Sequence, residues 1–192
     1  MLEVRHLSTG YGKKQVLYDV SFSIAAGEIV LLIGSNGSGK STLLKAIYGL
    51  LPPFAGGAGE IIFNGEDITR CPPAQLIRKG LVYIPQKNNC FDNLTVKENL
   101  EVSALSLPDA SVRRQAYAQA LDSMPLLQAH LTKYPYQLSG GERQLLAFSM
   151  ALTHSPKLLL LDECFAGFFQ NQSICRAQID QIAVMGDDRS DA

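Results

Sequence analysis

Net charge is the first thing this sequence lacks. It carries 17 lysines and arginines against 18 aspartates and glutamates, a formal charge of −1. A chain so balanced has no broad positive field to draw it to nucleic acid or anionic lipid, so no nucleic-acid partner is expected. Long hydrophobic runs are missing too. The longest, around Ile29 to Ile33 and Leu158 to Leu161, fall well short of the ~20 residues that cross a bilayer. The opening Met-Leu-Glu-Val-Arg-His has no signal-peptide pattern, which points to a soluble protein that stays where it is made. Cys71, Cys90, Cys164 and Cys175 form no C-x-x-C pair, and His6, His130 and His154 lie far from them in sequence. Four reduced thiols in a cytoplasmic protein are expected, without a Cys/His metal site. There is no internal repeat, and the Gly/Pro-rich piece from Leu51 to Gly59 reads as a loop.

What is present suits one well-packed domain: 192 residues, 46% of them hydrophobic. Val20, Phe22 and Ile24 alternate with Ser21 and Ser23 in the manner of a strand, and Ala26-Gly27-Glu28 turns the chain into the apolar strand Ile29 to Ile33. The first sixty residues therefore read as a β-rich layer. A helix is predicted over Lys40 to Leu50. A hairpin-like element follows at Glu60 to Glu66, turning at Asn64-Gly65. Next come a short helix at Pro73 to Lys79 and a strand at Leu81 to Ile84, stopped by Pro85.

The middle of the chain changes to helical patterns. Thr95-x-x-Glu98 is a capping box opening a helix to about Leu105, and Ser111 to Ser123 is a second, polar helix. Ser139-x-x-Glu142 is another capping box, opening the amphipathic run Arg143 to Leu152. Leu158 to Leu161 is an unbroken aliphatic strand ending in Asp162 and Glu163, the pattern of a parallel strand covered on both faces. Gln172 to Val184 suits one more helix, and Gly186 to Ala192 is a polar end.

The densest chemistry lies at Gly34-Ser35-Asn36-Gly37-Ser38-Gly39-Lys40-Ser41, between the strand Ile29 to Ile33 and the helix running on from Thr42. A strand, a glycine-rich turn and a helix start coincide there, as a phosphate-binding loop requires. Its glycines let successive N–H groups face phosphate oxygens, and the helix N-terminus adds partial positive charge. Lys40 supplies a full charge, and the Ser41 hydroxyl suits Mg²⁺. Such a loop binds a nucleoside triphosphate. Taken alone, it fits kinases, GTPases, helicases and many ATPases.

The remaining motifs narrow that choice. Leu138-Ser-Gly-Gly-Glu-Arg-Gln144 stands upstream of Leu158-Leu-Leu-Leu-Asp-Glu163, Gln86 follows the strand Leu81 to Ile84, and an aromatic stands at Tyr11. With these motifs in that order, the chain strongly resembles the ATP-binding subunit of an ABC transporter. Ile84-Pro-Gln86 followed by Phe91-x-x-Leu94-Thr-Val-x-Glu-Asn-Leu100 is most similar to the ATPase subunit of branched-chain amino-acid importers. The resemblance implies an α/β fold, a P-loop NTPase core with an N-terminal antiparallel β layer and a helical subdomain. Residues 1–88 and 155–192 would form the core and layer, and 89–154 the subdomain carrying the signature motif.

The resemblance also assigns roles. Tyr11 would stack on adenine, although its residue type also fits a strand edge. Lys40 would bridge β- and γ-phosphates, Ser41 and Asp162 would hold Mg²⁺, and Gln86 would touch metal and water. Glu163 would act as general base on the attacking water. Ser139, Gly140 and Gly141, which read by themselves as a plain helix cap, would act in trans on the ATP of a second ABC ATPase subunit. That implies a head-to-tail dimer with Mg²⁺ and two ATP molecules. A membrane permease would meet the region Gln86 to Leu94, placing the protein on the inner face of the cell membrane.

Two departures from the family pattern qualify this. After Glu163 the family has Pro-Ser-x-Gly-Leu, whereas this chain has Cys164-Phe165-Ala166-Gly167-Phe168-Phe169-Gln170. The family's next strand, ending in a switch histidine, finds no counterpart before Ala192. A C-terminally truncated core, lacking its last strands, is therefore expected. The alternatives to a transport ATPase are a remnant that binds ATP without hydrolysing it and a soluble ABC ATPase outside transport.

Overall fold

Four consecutive leucines divide the molecule into its two packed layers. Leu158–Leu161 form strand β7, and all four are buried. Because successive side chains of a strand point to opposite faces, Leu158 and Leu160 enter one core while Leu159 and Leu161 enter the other. Burying each leucine is worth roughly 1.5–3 kcal/mol, so this strand alone ties the two cores firmly together. In the computed structural model, residues 1–54, 59–87, 89–162 and the backbone of 183–187 are described.

Strand β7 belongs to a parallel sheet with β3 (Ile29–Leu32), β6 (Leu81–Ile84) and β8 (Ala183–Asp187), in the order β3-β8-β7-β6. The second sheet is antiparallel and runs β2-β1-β4-β5, from β1 (Leu2–Tyr11), β2 (Lys14–Ile24), β4 (Glu60–Phe63) and β5 (Glu66–Asp67). It is the expected N-terminal layer. Leu2, Val4, Ile24, Ile61 and Phe63 from this layer close over α1 (Lys40–Ile47) and over Leu158 and Leu160. On the other side, Val82, Ile84, Leu159 and Leu161 pack against α3 (Val96–Ser103) and α5 (Gly140–Leu152), through Val96, Leu100, Leu146 and Phe148. The short α2 (Pro73–Arg78) precedes β6, and α4 (Ala110–Ser123) adds Ala120 to the helical core.

Local chemistry sets the element ends. Helix α1 stops at Ile47, three residues before the expected Leu50, because Gly49 takes the left-handed conformation at φ +70. The Leu50 N–H then donates to the Lys45 carbonyl at 2.9 Å and the Gly49 N–H to Ala46 at 3.1 Å, a Schellman ending. Both capping boxes form as the spacing predicts. The Thr95 N–H donates to Glu98 Oε2 at 2.7 Å, and the Ser139 N–H donates to Glu142 Oε2 at 2.7 Å.

One expectation is overturned. The sequence pattern predicts no core strand after Leu161 and a helix over Gln172 to Val184. Instead Ala183 and Val184 open β8, which lies between β3 and β7 and parallel to both, with Val184 opposite Ile29 and Leu159. Partners on both sides supply the hydrogen bonds that define it, so a five-residue piece without alternation becomes a central strand. The rest of the expected helix, 172–182, lies outside the described residues.

Candidate functional site

The turn between β3 and α1 is built almost wholly from backbone. Ser38 donates its N–H to the Ser35 carbonyl at 3.1 Å, and the Leu43 N–H reaches back to Gly39 at 2.9 Å. Gly39 caps α1 at φ +99, and a Cβ there would come within 2.7 Å of Leu17 Cδ2. The left-handed conformation favours glycine at that point, and any side chain there would also have to displace the tip of Leu17. The Lys40 ammonium donates to the Gly34 carbonyl at 2.6 Å and the Ser35 carbonyl at 3.3 Å, so the positive charge is held across the loop. Above it opens a pocket of about 280 Å³ lined by Tyr11, Lys14, Val16 and residues Asn36 to Thr42. An open, cationic, N–H-rich pocket with an exposed aromatic at its rim has the chemistry of a nucleotide site.

At the inner end of this loop, two residues far apart in sequence meet. Ser41 Oγ donates to Asp162 Oδ1 at 2.7 Å, and Tyr83 Oη donates to Asp162 Oδ2 at 2.8 Å. Asp162 is only 3% exposed, so these hydrogen bonds to its carboxylate replace water that burial removes. The end of β7, the start of α1 and Tyr83 of β6 are thereby locked to one another. Oxygen donors at this point, a hydroxyl and a carboxylate, are the type that Mg²⁺ takes in preference to sulfur or imidazole.

A second open pocket, about 360 Å³, lies between the segment after β6 and the start of α5. Gln86, Lys87, Asn89, Gly140, Arg143 and Gln144 line it. Gln86 and Gly140 thus share this pocket and do not line that of the phosphate loop. At the turn into α5, a Cβ added at Gly140 or Gly141 would meet nothing within 4 Å among the described residues. Neither residue has a positive φ. Glu142 is fixed on both sides, by the Ser139 N–H and by His130 Nε2 at 2.8 Å. These contacts hold its carboxyl below the usual range, with the Ser139 N–H the largest cause and His130 a lesser one.

Of the residues singled out from the sequence, Tyr11, Asn36 to Thr42 and Lys40 share the first pocket, with Asp162 bound to Ser41. Gln86 and Gly140 share the second, and Ser139 caps the helix that carries Gly140 and Gly141. Glu163 and the departing segment Cys164 to Gln170 lie outside the described residues. Sequence reasoning missed Lys14, Val16 and Tyr83. Lys14 reaches the pocket because it pairs with Tyr11 across the β1–β2 hairpin, and the Gly12-Lys13 turn between them was the available signal. Tyr83 was readable as the one polar-tipped side chain in an otherwise aliphatic strand.

Comparison with known proteins agrees with this geometry. The sequence profile of the family described as ABC transporter matches residues 17–166. The probable branched-chain amino acid transport ATP-binding protein LivF of Archaeoglobus fulgidus is 42% identical over 163 residues, which is 85% of this chain and 67% of that protein. The high-affinity branched-chain amino acid transport ATP-binding protein BraG of Pseudomonas aeruginosa is 40% identical over 163 residues, 85% of this chain and 68% of that protein. Among solved structures, a nucleotide-free ATP-binding cassette from an ABC transporter superposes with a TM-score of 0.83 at 25% identity, covering 98% of this chain and 81% of the other.

Proposed function

The chain belongs to the ABC transporter ATPase family, whose members bind and hydrolyse ATP with Mg²⁺, and from that premise we propose that it energises solute import as one half of a two-subunit ATPase. Lys40 and the N–H groups of Asn36 to Thr42 bind the phosphates, and Tyr11 takes the base. Ser41 and Asp162 would hold Mg²⁺, which would supply positive charge beside the phosphates. Glu163 orients water for attack. Ser139, Gly140 and Gly141 close over the ATP of a second subunit, identical or related.

The observation that carries the nucleotide half of this reading is the 2.7 Å bond from Ser41 to Asp162, which joins the phosphate loop to a strand end 121 residues away. The half that needs a second subunit rests on Gly140 and Gly141. Among the described residues neither packing nor backbone conformation calls for glycine there, and glycine in a helix is disfavoured relative to alanine. Approach of something outside the chain explains both. The solute proposed is a branched-chain amino acid, by likeness to the two relatives. The region Gln86 to Leu94 would meet the permease at the inner face of the membrane. Among the described residues, no helix is long and apolar enough to cross a membrane itself.

The reading is tested by Mg-ATP binding and steady-state phosphate release. Lys40→Ala should weaken Mg-ATP binding by about a hundredfold, the loss of one charge-assisted contact to phosphate, while the melting temperature stays in place. Phosphate release should vanish in Glu163→Gln. Unchanged ATP affinity in Lys40→Ala would remove the phosphate loop from the account.

A further inference from the structure

The segment following Gln86 and the turn into α5 are joined by more than the pocket between them. Asp92 Oδ1 pairs with the Arg143 guanidinium at 2.8 Å, and the Cys90 thiol lies 3.7 Å from the Arg143 carbonyl. The Arg143 N–H in turn donates to the Ser139 carbonyl at 2.9 Å. On the other flank, Asn99 of α3 is completely buried. Its Oδ1 accepts from the Phe91 N–H at 2.8 Å, and its Nδ2 donates to the carbonyls of Phe91, Leu94 and Thr95 at 2.9 to 3.0 Å. The contacts close on themselves. The Val96 and Lys97 N–H groups donate to the carbonyls of Lys133 and Leu131 at 2.8 and 3.0 Å, and His130 at the near end of that stretch grips Glu142 at 2.8 Å.

We propose that the Asp92–Arg143 pair is a clasp that makes segment 90–95 and the Ser139–Gly141 turn move as one piece, with Arg143 a positioning residue for that turn. The inference rests on the reading that Ser139 to Gly141 engage a second subunit's ATP. Its consequence is that a push on the exposed loop around Phe91, where a permease would press, reorients the turn without passing through the phosphate loop. Folding depends little on such a pair, because Asp92 is 60% and Arg143 30% exposed and water screens ion pairs of that exposure. Position, rather than stability, is what its loss should change.

The test uses the full chain carrying Glu163→Gln. Adding Asp92→Asn should weaken Mg-ATP-dependent dimerisation about tenfold, the usual size of coupling between contacting residues, with monomer ATP affinity and melting temperature unchanged. The charge swap Asp92→Arg with Arg143→Asp should restore dimerisation. A dimer indifferent to Asp92→Asn, or a swap that restores nothing, overturns the clasp. In the monomer, Asp92→Asn should speed amide exchange at Glu142 and Arg143 several-fold and leave Leu43 unaffected; unchanged exchange at Arg143 overturns the clasp whether or not the chain dimerises. Failure of the Glu163→Gln parent to dimerise would instead count against the two-subunit reading.

Discussion

A Cβ at Gly39 would come within 2.7 Å of Leu17, on a backbone held at φ +99, whereas at Gly140 and Gly141 a Cβ would meet nothing within 4 Å among the described residues. The two glycine turns open helices of similar build, yet only the first needs its glycine to fold. At the phosphate loop, sequence and conformation agree, and the open pocket is lined by Tyr11, Lys14, Lys40 and their neighbours. At the turn into α5, the backbone is held by side chains instead, through Ser139, Glu142, Arg143 and, at one remove, Asn99. On the proposed reading, glycine there serves the site of a second subunit. A residue that costs helix stability without serving the monomer is what a shared site would keep.

The contrast can be broken at several points. The largest effect is expected at Asn99. Its removal to alanine leaves the Phe91 N–H and the carbonyls of Phe91, Leu94 and Thr95 without their partner, which should cost about 3 kcal/mol by urea unfolding. Phosphate-loop chemistry should persist in whatever fraction stays folded. Gly39→Ala comes next, with about 2 kcal/mol lost to left-handed strain and the collision with Leu17. A loss below a few tenths of a kcal/mol in the same unfolding measurement would show that the loop can relax and that the two turns are alike in their need for glycine.

Smaller, and specific to the side-chain-held end, is an acid dependence. Glu142 accepts from the Ser139 N–H and pairs with His130, so its folded pKa lies below the ordinary 4.5. Glu98 is lowered in the same way, mainly by the Thr95 N–H. A depressed carboxylate contributes stability that is fully present above the unfolded value and disappears as pH falls through the folded one. The caps of α3 and α5 should therefore weaken as pH drops below 4.5, and Glu142→Gln should flatten that part of the melting-temperature profile. A profile identical to that of the unsubstituted chain would mean the Glu142 carboxylate is not holding the turn.

Legibility in the sequence followed how local the cause was. The capping boxes at Thr95 and Ser139 depend on two residues three apart and were readable outright. The leucines of β7 were readable because burial on both faces leaves no alternation to misread. Helix α1 is shorter than its pattern predicts because Gly49 ends it by adopting a conformation that composition alone does not require of a glycine. Strand β8 was unreadable in principle. Its five residues become a strand only because β3 and β7 hydrogen-bond it from both sides. In the site, Lys40, Ser41 and Asp162 stand in motifs, while Lys14 and Tyr83 join through strand pairing and a tertiary hydrogen bond, for which the Gly12-Lys13 turn and a lone polar tip in an aliphatic strand are weaker signals.

The claim on which the rest depends is that the turn at Gly140 and Gly141 completes the site of a second subunit. Sedimentation of the Glu163→Gln chain with saturating Mg-ATP, with and without Gly141→Ala, tests it most directly. The account predicts a dimer for Glu163→Gln, and a monomer or a dimer weakened at least about tenfold once Gly141→Ala is added. That second substitution should at the same time raise folding stability by about 0.5 kcal/mol, because alanine suits a helix better than glycine. An equally tight dimer in both, or a monomer in both with ATP bound, would contradict it.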